Sequence, residues 1–484
     1  MITIIGLGPG SIDHLTRRAW DKLQSAETVY LRTLRHPCVS RLPAAVKRLS
    51  FDEVYQSVER FEDVYAEISE RILAAAKRDG QVLYAVPGDP LVGEASVARI
   101  IDRARAEAID LEIIHGLSFI EPCLTLIGHD ALDGLQILDA LSVAEQYHPP
   151  INPALPALLA QVYSRDVASN LKLTLMNQYP DEFQVALVHA AGAPDAEVES
   201  LSLFEIDRSS KIDITTSLYL PALDELSSFE SLQNIIARLR SPEGCPWDRE
   251  QTHKSLRAFL IEEAYEVLDT LDAGSPAALC QELGDLLLQI LLHTQIAIDE
   301  GEFYMSDLLR GLNEKMLRRH PHVFGDVAPT SDLAQLSRIW NEVKEAEKAE
   351  TNQQSDSLLD GVAKAAPALF VAQRYSARAA KVGFDWPDIA GVEAKFKEEL
   401  AEVLAADSAE ERINELGDLL FVTVNWLRWL GVDDPESLLR SINAKFYRRF
   451  KHVESQANSA GKPLGDFSLD ELDNWWQDAK RLGL

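Results

Sequence analysis

The spacing of apolar and polar residues changes character near residue 225. Before that point, short apolar runs alternate with amphipathic stretches, and after it nearly every segment has helical spacing. Short apolar runs followed by helical patterns are typical of a parallel α/β sheet. The pattern therefore predicts a multidomain chain with an N-terminal α/β part and a C-terminal all-α part, joined by a serine-rich connector at 223–229.

Three apolar runs in the first part, at 1–7, 81–86 and 111–115, each end in a loop of small residues before a helical pattern. Parallel strands bring such loops to one edge of their sheet. The three loops therefore predict a shared crevice that could hold a ligand. Any one of them is also compatible with an ordinary tight turn.

Two helical patterns at 260–292, separated by a Gly-Ser-Pro turn signal, carry closely spaced carboxylates. Helical spacing places Glu262 and Glu266 on one face, with Glu263 about 100° away. On the second helix, Glu282 and Asp285 share a face among so many leucines that we expect them near the interior.

Antiparallel packing of these two helices would bring the five carboxylates together. They would then repel each other unless a divalent cation neutralised them, and hard oxygen ligands suit Mg²⁺ or Mn²⁺. The pattern therefore predicts a metal site. A solvated acidic helix face is the alternative interpretation.

The carboxylate pattern occurs twice. Glu398, Glu399 and Glu402 each lie 136 residues after their counterparts, and Glu415 and Asp418 follow on the next predicted helix. Shorter flanking motifs repeat in the same order, which indicates a tandem duplication. The predicted domains are 1–225, with subdomains at about 1–120 and 121–225, then one repeat at 226–350 and another at 351–484, with a charged stretch at 345–357 between the repeats.

Composition narrows the function. The 484 residues carry a formal net charge of −30, which argues against a nucleic-acid-binding surface because such a surface needs a positive field. Four scattered cysteines form no CxxC pair, so the expected compartment is the reducing cytoplasm. We expect no signal peptide and no membrane span. Apolar helix faces predict a homodimer or larger assembly, with Leu286, Leu287, Ile290 and Leu291 as the example.

The three loops of the first part read GLGPG at 6–10, VPGDPLVGEAS at 86–96 and HGLSF at 115–119. In this order they resemble the tetrapyrrole methylase superfamily, whose members bind S-adenosylmethionine in a cleft between two α/β domains. The resemblance implies that the loops hold this cofactor. The residues implied to contact it are Gly8, Pro9, Gly88, Asp89, Val92, Ser118 and Phe119.

The same resemblance implies a second α/β domain from about 124 to 223. Its expected strands lie at 162–163, 171–176 and 185–188, with a terminal edge strand at 218–221. No nucleophile or general base stands out there, and methyl transfer from a sulfonium can rely mostly on orientation. His115 replaces a proline found in many relatives, which weakens the case for a porphyrin-type acceptor.

The second part resembles the MazG nucleoside triphosphate pyrophosphohydrolases from about residue 229 onward. The motifs that carry the resemblance are EExxE followed by ExxD, GCPWD, QTHKSL, RRHPHVFGD, SLLDGVAK and VGFDW. Together with the methylase-like part, the chain is similar to bacterial methylase–MazG fusions. The resemblance implies that water attacks the α-phosphorus of a nucleoside triphosphate, giving nucleoside monophosphate and pyrophosphate.

The resemblance and the residue chemistry agree on the expected roles. All ten carboxylates are expected metal ligands: Glu262, Glu263, Glu266, Glu282, Asp285, Glu398, Glu399, Glu402, Glu415 and Asp418. The six glutamates of the two EExxE motifs are also the expected catalytic residues, and which one activates water is not readable. The expected substrate-binding residues are Lys315, Arg319, Trp340 and Lys344 in the first repeat and Lys445, Arg449, Trp476 and Lys480 in the second.

Several alternatives stay open at this point. Trp340 and Trp476 are also compatible with a packing role, and His320 and His322 are interpreted as structural rather than metal-binding. Both repeats keep the full carboxylate set, so we expect the second to be active and favour activity in both. The chain is a bifunctional enzyme, a hydrolase with a ligand-sensing or scaffold N-terminal half, or a non-catalytic acidic interaction protein.

Overall fold

A computed structural model describes residues 1–57, 61–328, 330–350 and 357–484. The chain forms two compact units, Met1–Leu308 and Leu309–Leu484. Part of the charged stretch predicted between the repeats, at 351–356, lies outside the described residues. None of the helices in the described part of the chain is long and apolar enough to cross a bilayer.

The first unit begins with a parallel sheet of five strands in the order β3-β2-β4-β1-β5. Its strands are β1 (Ile2–Gly6), β2 (Thr28–Leu31), β3 (Lys47–Ser50), β4 (Val82–Val86) and β5 (Leu111–Ile114). Its helices are α1 (Arg17–Ser25), α2 (Asp52–Ser57), α3 (Phe61–Asp79) and α4 (Ala95–Ala106). The predicted parallel sheet is confirmed, whereas β2 and β3 were not predicted.

The three predicted strands are neighbours, with β1 between β4 and β5. Their register pairs Ile2 with Val82 and Gly6 with Val86, so that the strands end at the same level. Strand β1 is buried on both faces, with Ile4 in one apolar core and Ile5 in another. Burial on both faces explains why the strand reads as a continuous apolar run.

A second five-stranded sheet follows in the first unit, in the order β6-β7-β10-β8-β9. Its elements are α5 (Ile120–Ile127), β6 (Gln136–Asp139), α6 (Ala140–Ala144), β7 (Ala157–Ala160), α7 (Arg165–Leu175), β8 (Gln184–His189), β9 (Glu197–Ser202) and β10 (Ser217–Leu220). The predicted strands at 185–188 and 218–221 correspond to β8 and β10.

Three details of the predicted second domain are wrong. Residues 162–163 are not a strand, and 171–175 belong to helix α7, which Ser164 caps by accepting from the Val167 backbone N–H. Helix α7 buries Leu171 and Leu175, which lie four residues apart on one helix face. The sequence analysis had interpreted this stretch as the alternating apolar and polar pattern of a strand. Strand β10 lies at the centre of the sheet, between β7 and β8, rather than at its edge.

The remaining helices of the first unit are α8 (Phe229–Arg240), α9 (Pro246–Glu250), α10 (Arg257–Ala273) and α11 (Pro276–Glu300), and α12 (Met305–Arg319) continues into the second unit. Helices α10 and α11 pack side by side, and α11 also packs against α8. Leu291 is buried in the apolar core there, whereas Ile290 is exposed. The expected exposed face therefore does not include Leu291.

The regular elements among the described residues of the second unit are helices. They are α13 (Pro321–Phe324), α14 (Leu333–Glu350), α15 (Ala368–Lys381), α16 (Ile389–Ala405), α17 (Ala409–Trp429), α18 (Pro435–Ser459) and α19 (Leu469–Arg481). Helices α16 and α17 form one packed pair and α18 and α19 another, and α15 contacts both α17 and α18. Helix α15 therefore connects the two pairs.

Candidate active sites

The first repeat brings three of its five predicted carboxylates together. Glu263 and Glu266 on α10 and Glu282 on α11 each offer an oxygen, and these oxygens lie within 4.8 Å of one another. We call these three residues the first triplet. Glu262 and Asp285 lie outside it, so the helix pair contributes Glu263 rather than Glu262 beside Glu266.

A tight turn between α10 and α11 brings the carboxylates of the two helices close together. Helix α10 ends at Gly274, whose left-handed backbone (φ 66°) lets the chain reverse at once. Ser275 then caps α11 by accepting from the Ala278 backbone N–H. In the second repeat, Ser408 caps α17 in the same way.

Electrostatic repulsion is concentrated in the first triplet. Partial burial, and then the charges of Asp285 and three neighbouring glutamates, raise the pKa of Glu263. Partial burial and the charges of Glu266 and Asp285 raise the pKa of Glu282. Among the described residues, no lysine or arginine forms an ion pair with the triplet. A divalent cation would relieve this repulsion, so the donor set fits one.

The second repeat builds an equivalent cluster. Glu399 and Glu402 on α16 and Glu415 on α17 offer oxygens within 4.8 Å of one another, and we call them the second triplet. Burial and the charges of Glu402 and Asp418 raise the pKa of Glu415. Glu399 is only 5% exposed. Glu398 and Asp418 lie outside this triplet.

A lysine that the sequence analysis missed lies against the second triplet. Lys395 Nζ is 2.7 Å from an oxygen of Glu399 and 2.9 Å from an oxygen of Glu398. Hydrogen bonds to these two carboxylates raise the pKa of Lys395. Helical spacing was the available signal, because Lys395 precedes Glu399 by four residues. Its counterpart in the first repeat is Phe259, which packs against Trp247 with ring centroids 5.9 Å apart.

Each repeat also places a predicted arginine beside a predicted tryptophan. The guanidinium carbon of Arg319 lies 6.0 Å from the ring centre of Trp340, and that of Arg449 lies 5.8 Å from that of Trp476. Trp340 is 43% exposed, so it is not a core residue. Cation–π contacts of this kind orient a guanidinium while leaving its edge free to donate hydrogen bonds.

The two arginines differ in their other partners. Arg319 donates to Glu347 at 2.7 Å, and hydrogen bonds from Arg319 and Arg318 lower the pKa of Glu347 to about 2. Arg449 instead donates to a main-chain oxygen of Leu484 at 2.7 Å. The first arginine therefore contacts a glutamate side chain, and the second contacts a main-chain oxygen.

The predicted substrate-binding lysines lie on the same helices as these arginines and tryptophans. Lys315 and Lys445 are half-buried one helical turn before the arginines, and Lys344 and Lys480 lie one turn after the tryptophans. The first triplet belongs to the first unit, whereas the predicted cations of the first repeat belong to the second unit.

A cavity of about 400 Å³ opens beside the first arginine–tryptophan pair. The cavity is lined by Arg319, His320, His322, Leu336, Ser337 and Trp340. His320 Nδ1 lies 2.7 Å from the Met316 carbonyl oxygen and donates to it, which agrees with the structural role expected from the sequence.

In the N-terminal half, the three small-residue loops meet at the carboxyl ends of β1, β4 and β5. Gly8 and Gly88 exchange two backbone hydrogen bonds, with N···O distances of 3.2 and 2.8 Å. A Cβ atom at either Gly6 or Gly116 would lie 2.4 Å from the Gly88 carbonyl oxygen. Only glycine permits this close approach, which explains why the loops are rich in it.

Asp89 ties the second loop to the third. Its Oδ2 accepts from His115 Nδ1 at 2.9 Å and from the Gly116 backbone N–H at 3.2 Å, and its Oδ1 accepts from the Leu91 N–H at 2.9 Å. Asp89 as a residue is 8% exposed. His115, noted in the sequence only as a departure from relatives, is therefore a partner of Asp89.

The other residues predicted to contact the cofactor lie around these loops. Ser118 is buried and donates to Glu121 at 2.6 Å, which fixes the first turn of α5. Phe119 is the N-cap residue of α5 and is half-buried. Pro9 and Val92 are also half-buried, so each presents part of its surface to solvent.

A buried ion pair missed by the sequence analysis follows the second loop. Glu94 contacts Arg32, whose guanidinium also donates to the Tyr55 hydroxyl at 2.9 Å. Burial raises the pKa of Glu94 to about 7, although Arg32 acts in the opposite direction. The pair was missed because Arg32 directly follows β2, a strand that the apolar pattern did not reveal.

Comparison with known proteins covers the whole chain. The family model of the tetrapyrrole (corrin/porphyrin) methylases matches residues 1–207. The model of the MazG nucleotide pyrophosphohydrolase domain matches residues 251–324, and that of phosphoribosyl-ATP pyrophosphohydrolase matches residues 372–446. The N-terminal half and both predicted repeats are therefore each matched separately.

Individual proteins are similar to parts of the chain or to all of it. A solved cobalt precorrin-4 methyltransferase is 18% identical, with a TM-score of 0.36 over 46% of this chain and 95% of its own. The nucleoside triphosphate pyrophosphohydrolase/pyrophosphatase MazG of Thermotoga maritima is 44% identical over 52% of this chain and 95% of its own length. The protein YabN of Bacillus subtilis is 40% identical over 99% of this chain and 98% of its own length. The chain therefore belongs to the family, shared with YabN, in which a tetrapyrrole methylase domain is fused to a MazG nucleotide pyrophosphohydrolase region.

Proposed function

We propose that the C-terminal half hydrolyses nucleoside triphosphates to nucleoside monophosphate and pyrophosphate with Mg²⁺ or Mn²⁺. The observation that carries this proposal is the pair of carboxylate triplets, each built by two adjacent helices. The name of the Thermotoga maritima relative, a nucleoside triphosphate pyrophosphohydrolase, supports the same reaction class. The non-catalytic alternative offers no reason for two clusters of mutually repelling carboxylates.

The ten predicted carboxylates are the proposed ligand set, with the two triplets nearest the ion. A bound divalent ion would neutralise phosphate charge and polarise a phosphoryl oxygen. A glutamate of each EExxE motif that is left free of the ion would orient the attacking water and accept its proton. The catalytic roles are therefore assigned to Glu262, Glu263, Glu266, Glu398, Glu399 and Glu402.

The cations on α12 and α18 are proposed to bind the phosphates. Arg319 and Arg449 present planar donors held by their tryptophans, and each follows a lysine by one helical turn. Trp340 and Trp476 are proposed to contact the base or to position the arginines. Lys344 and Lys480 complete the proposed substrate set.

For the N-terminal half we propose binding of S-adenosylmethionine in the crevice between the three loops. The glycine contacts leave the backbone close enough to donate to and accept from a small ligand, which fits this cofactor. The proposed contacts are Gly8, Pro9, Gly88, Asp89, Val92, Ser118 and Phe119. Bound there, S-adenosylmethionine would supply an electrophilic methyl group, and the chain would orient its acceptor.

A second candidate role for this half is ligand sensing or scaffolding without methyl transfer. The observation that favours it is Asp89, whose carboxylate already accepts three hydrogen bonds from the protein. Such a carboxylate holds the loops in place, and ordered loops would support ligand binding with or without methyl transfer. Calorimetry with S-adenosylmethionine followed by a search for a methylated acceptor separates the two roles. Binding without any methylated product favours sensing.

The hydrolase proposal is tested with a panel of nucleoside and deoxynucleoside triphosphates in the presence of Mg²⁺. We expect nucleoside monophosphate and pyrophosphate as products, and loss of the reaction when the ion is chelated. A variant with Ala at Glu262, Glu263, Glu398 and Glu399 should lose the activity. Full activity in that variant, or release of inorganic phosphate instead of pyrophosphate, contradicts the proposal.

We also propose that the chain works in the cytoplasm as a homodimer or larger assembly. Apolar residues are exposed on the triplet helices, among them Leu283 and Ile290 on α11 and Leu416 and Leu420 on α17. Burying such faces against a second copy would complete a thicker helical bundle. Sedimentation equilibrium should therefore give a mass above the 53.8 kDa of one chain, and a monomer contradicts this proposal.

A further inference from the structure

Metal-binding side chains also meet at the far end of α11 from the first triplet. His253, in the connection between α9 and α10, and Glu300 and Glu302, at the end of α11, offer atoms within 4.8 Å of one another. Glu300 lies 18 residues beyond Glu282 on the same helix, about 27 Å along its axis. The cluster is therefore separate from the triplet.

Charge at this end of α11 favours a cation. The C-terminus of a 25-residue helix carries partial negative charge, and acidic residues there are in an unfavourable field. Asp299 is neutralised by Arg240, with a 2.8 Å contact. In the described parts of the chain, neither Glu300 nor Glu302 has a lysine or arginine partner. Two carboxylates therefore lie beside the helix end, close to the imidazole of His253.

The imidazole of His253 is held by a second histidine. His253 Nδ1 lies 2.7 Å from His293 Nδ1, so one ring donates a hydrogen bond to the other. When His253 is the donor, its Nε2 carries a free lone pair on the side of the carboxylates.

The spacing between the ligand atoms suits an ion between them. His253 Nε2 is 3.6 Å from Glu302 Oε2, beyond the range of a good hydrogen bond. Two ligands that are each about 2.0–2.2 Å from one transition-metal ion are separated by a distance of this size. A histidine that binds a metal through one nitrogen while the other nitrogen donates to a neighbour is the common arrangement in such sites.

We propose that His253, Glu300 and Glu302 bind a first-row divalent transition-metal ion, such as Zn²⁺ or Co²⁺, and that His293 is the positioning residue. An imidazole ligand selects these ions over Mg²⁺, which prefers oxygen donors. The ion would fasten the 251–256 segment to the end of α11. The proposal does not depend on the proposed hydrolase reaction.

The test uses the full-length protein in excess Mg²⁺, which fills the oxygen-only triplets, and follows Co²⁺ binding by visible absorption. We expect the wild-type chain to bind one Co²⁺ that His253→Gln and Glu302→Gln do not bind. Glu250→Gln, at an exposed glutamate of α9, is the control and should bind like the wild type. Circular dichroism checks folding, and the exposed Glu302 keeps the test decisive if His253→Gln does not fold.

The role of His293 is tested by the same titration. His293→Leu removes the acceptor and should weaken Co²⁺ binding roughly ten- to a hundredfold. His293→Gln keeps an acceptor and should recover part of that loss. The competing arrangement has His293 donating to His253, whose Nε2–H then faces Glu302 as a polar network without metal. Equal Co²⁺ binding by the wild type, His253→Gln and Glu302→Gln establishes that network and overturns the proposal.

Discussion

The first and second triplets share their geometry but differ in the residue that stands one turn earlier. In the first repeat this residue is Phe259, which packs on a tryptophan, and in the second it is Lys395, which contacts two glutamates. The family models separate the repeats too, since one matches MazG and the other phosphoribosyl-ATP pyrophosphohydrolase. The two repeats therefore have equivalent carboxylate triplets but differ in the charge beside them.

This difference changes how each triplet meets a metal ion. The first triplet has raised carboxyl pKa values and no cation partner among the described residues, so an ion relieves repulsion directly. In the second triplet, Lys395 already neutralises part of the charge and competes with an ion for Glu399. We therefore infer that the first repeat binds metal more tightly than the second.

The largest expected effect comes from disabling one triplet while the other is already silent. In a chain with Ala at 398 and 399, Glu263→Gln should lower kcat/KM for pyrophosphate release by more than about a hundredfold, because a carboxylate beside the ion is lost. In a chain with Ala at 262 and 263, Glu399→Gln should do the same.

The matched control for this experiment is Asp269→Asn, at an exposed carboxylate of α10 outside the triplet. It should leave kcat/KM within about twofold of its parent, as surface substitutions usually do. Unchanged rates for one triplet variant show that its repeat is not a hydrolase. Unchanged rates for both triplet variants contradict the assignment of the carboxylates as catalytic groups.

The next effect concerns metal affinity in the second repeat. Lys395→Met should tighten Mn²⁺ binding there about tenfold, because removing one close positive charge is worth on the order of 1.4 kcal/mol. Phe259→Lys should weaken binding in the first repeat in return. Manganese affinity is measured by electron paramagnetic resonance in chains with the other repeat silenced. Lys397→Met is the control, because Lys397 is exposed on the same helix.

Weaker Mn²⁺ binding by Lys395→Met would contradict this comparison. It would mean that the lysine supports the site, for example by holding Glu398 in place, rather than competing with the ion. A fall in kcat/KM with unchanged Mn²⁺ affinity would instead place Lys395 on the substrate phosphates.

The sequence predicted the two helix pairs well because helical spacing and motif repetition can be recognised without knowing the tertiary packing. Helical spacing and a turn signal defined α10 and α11. The constant offset located α16, and the second ExxD motif located α17. The sequence could not predict which carboxylates form a triplet. That choice depends on the angle between two helices, which placed Glu263 rather than Glu262 beside Glu282.

The N-terminal half shows where local patterns mislead. The loops were located because β1, β4 and β5 are buried on both faces or end in glycine. Strand β3, with the sequence KRLS, has almost no apolar signal and is recognisable only through its pairing with β2. The leucine pattern of α7 was interpreted as the alternation of a strand, although Ser164 gave a helix-cap signal. Tertiary packing decided these cases.

A smaller effect is expected on stability in the absence of metal. The pKa of Glu282 is raised in the folded protein, so its ionisation favours the unfolded chain. The destabilisation is complete above the raised pKa and disappears as the pH falls below the ordinary value of 4.5. Glu282→Gln should therefore raise the thermal midpoint of the metal-free protein at pH 7 and have no effect below pH 4.5.

Thermal scans of metal-stripped wild type, Glu282→Gln and Glu415→Gln check this prediction. Glu415 also has a raised pKa, but Lys395 neutralises part of its triplet, so the gain in the second repeat should be the smaller one. Saturating Mg²⁺ should cancel the gain in both variants. A gain that persists at low pH would show that it does not come from ionisation.

The smallest effect concerns the two arginines. Arg319 is paired with Glu347, whereas Arg449 contacts Trp476 and a main-chain oxygen of Leu484. Glu347→Gln should free the Arg319 guanidinium for phosphate and lower KM in the first repeat roughly two- to fivefold, the worth of an accessible ion pair. The second repeat should not change. Glu342→Gln, at an exposed glutamate of α14, is the control. A higher KM would show instead that Glu347 holds Arg319 in its binding position, and the two repeats would then use their arginines alike.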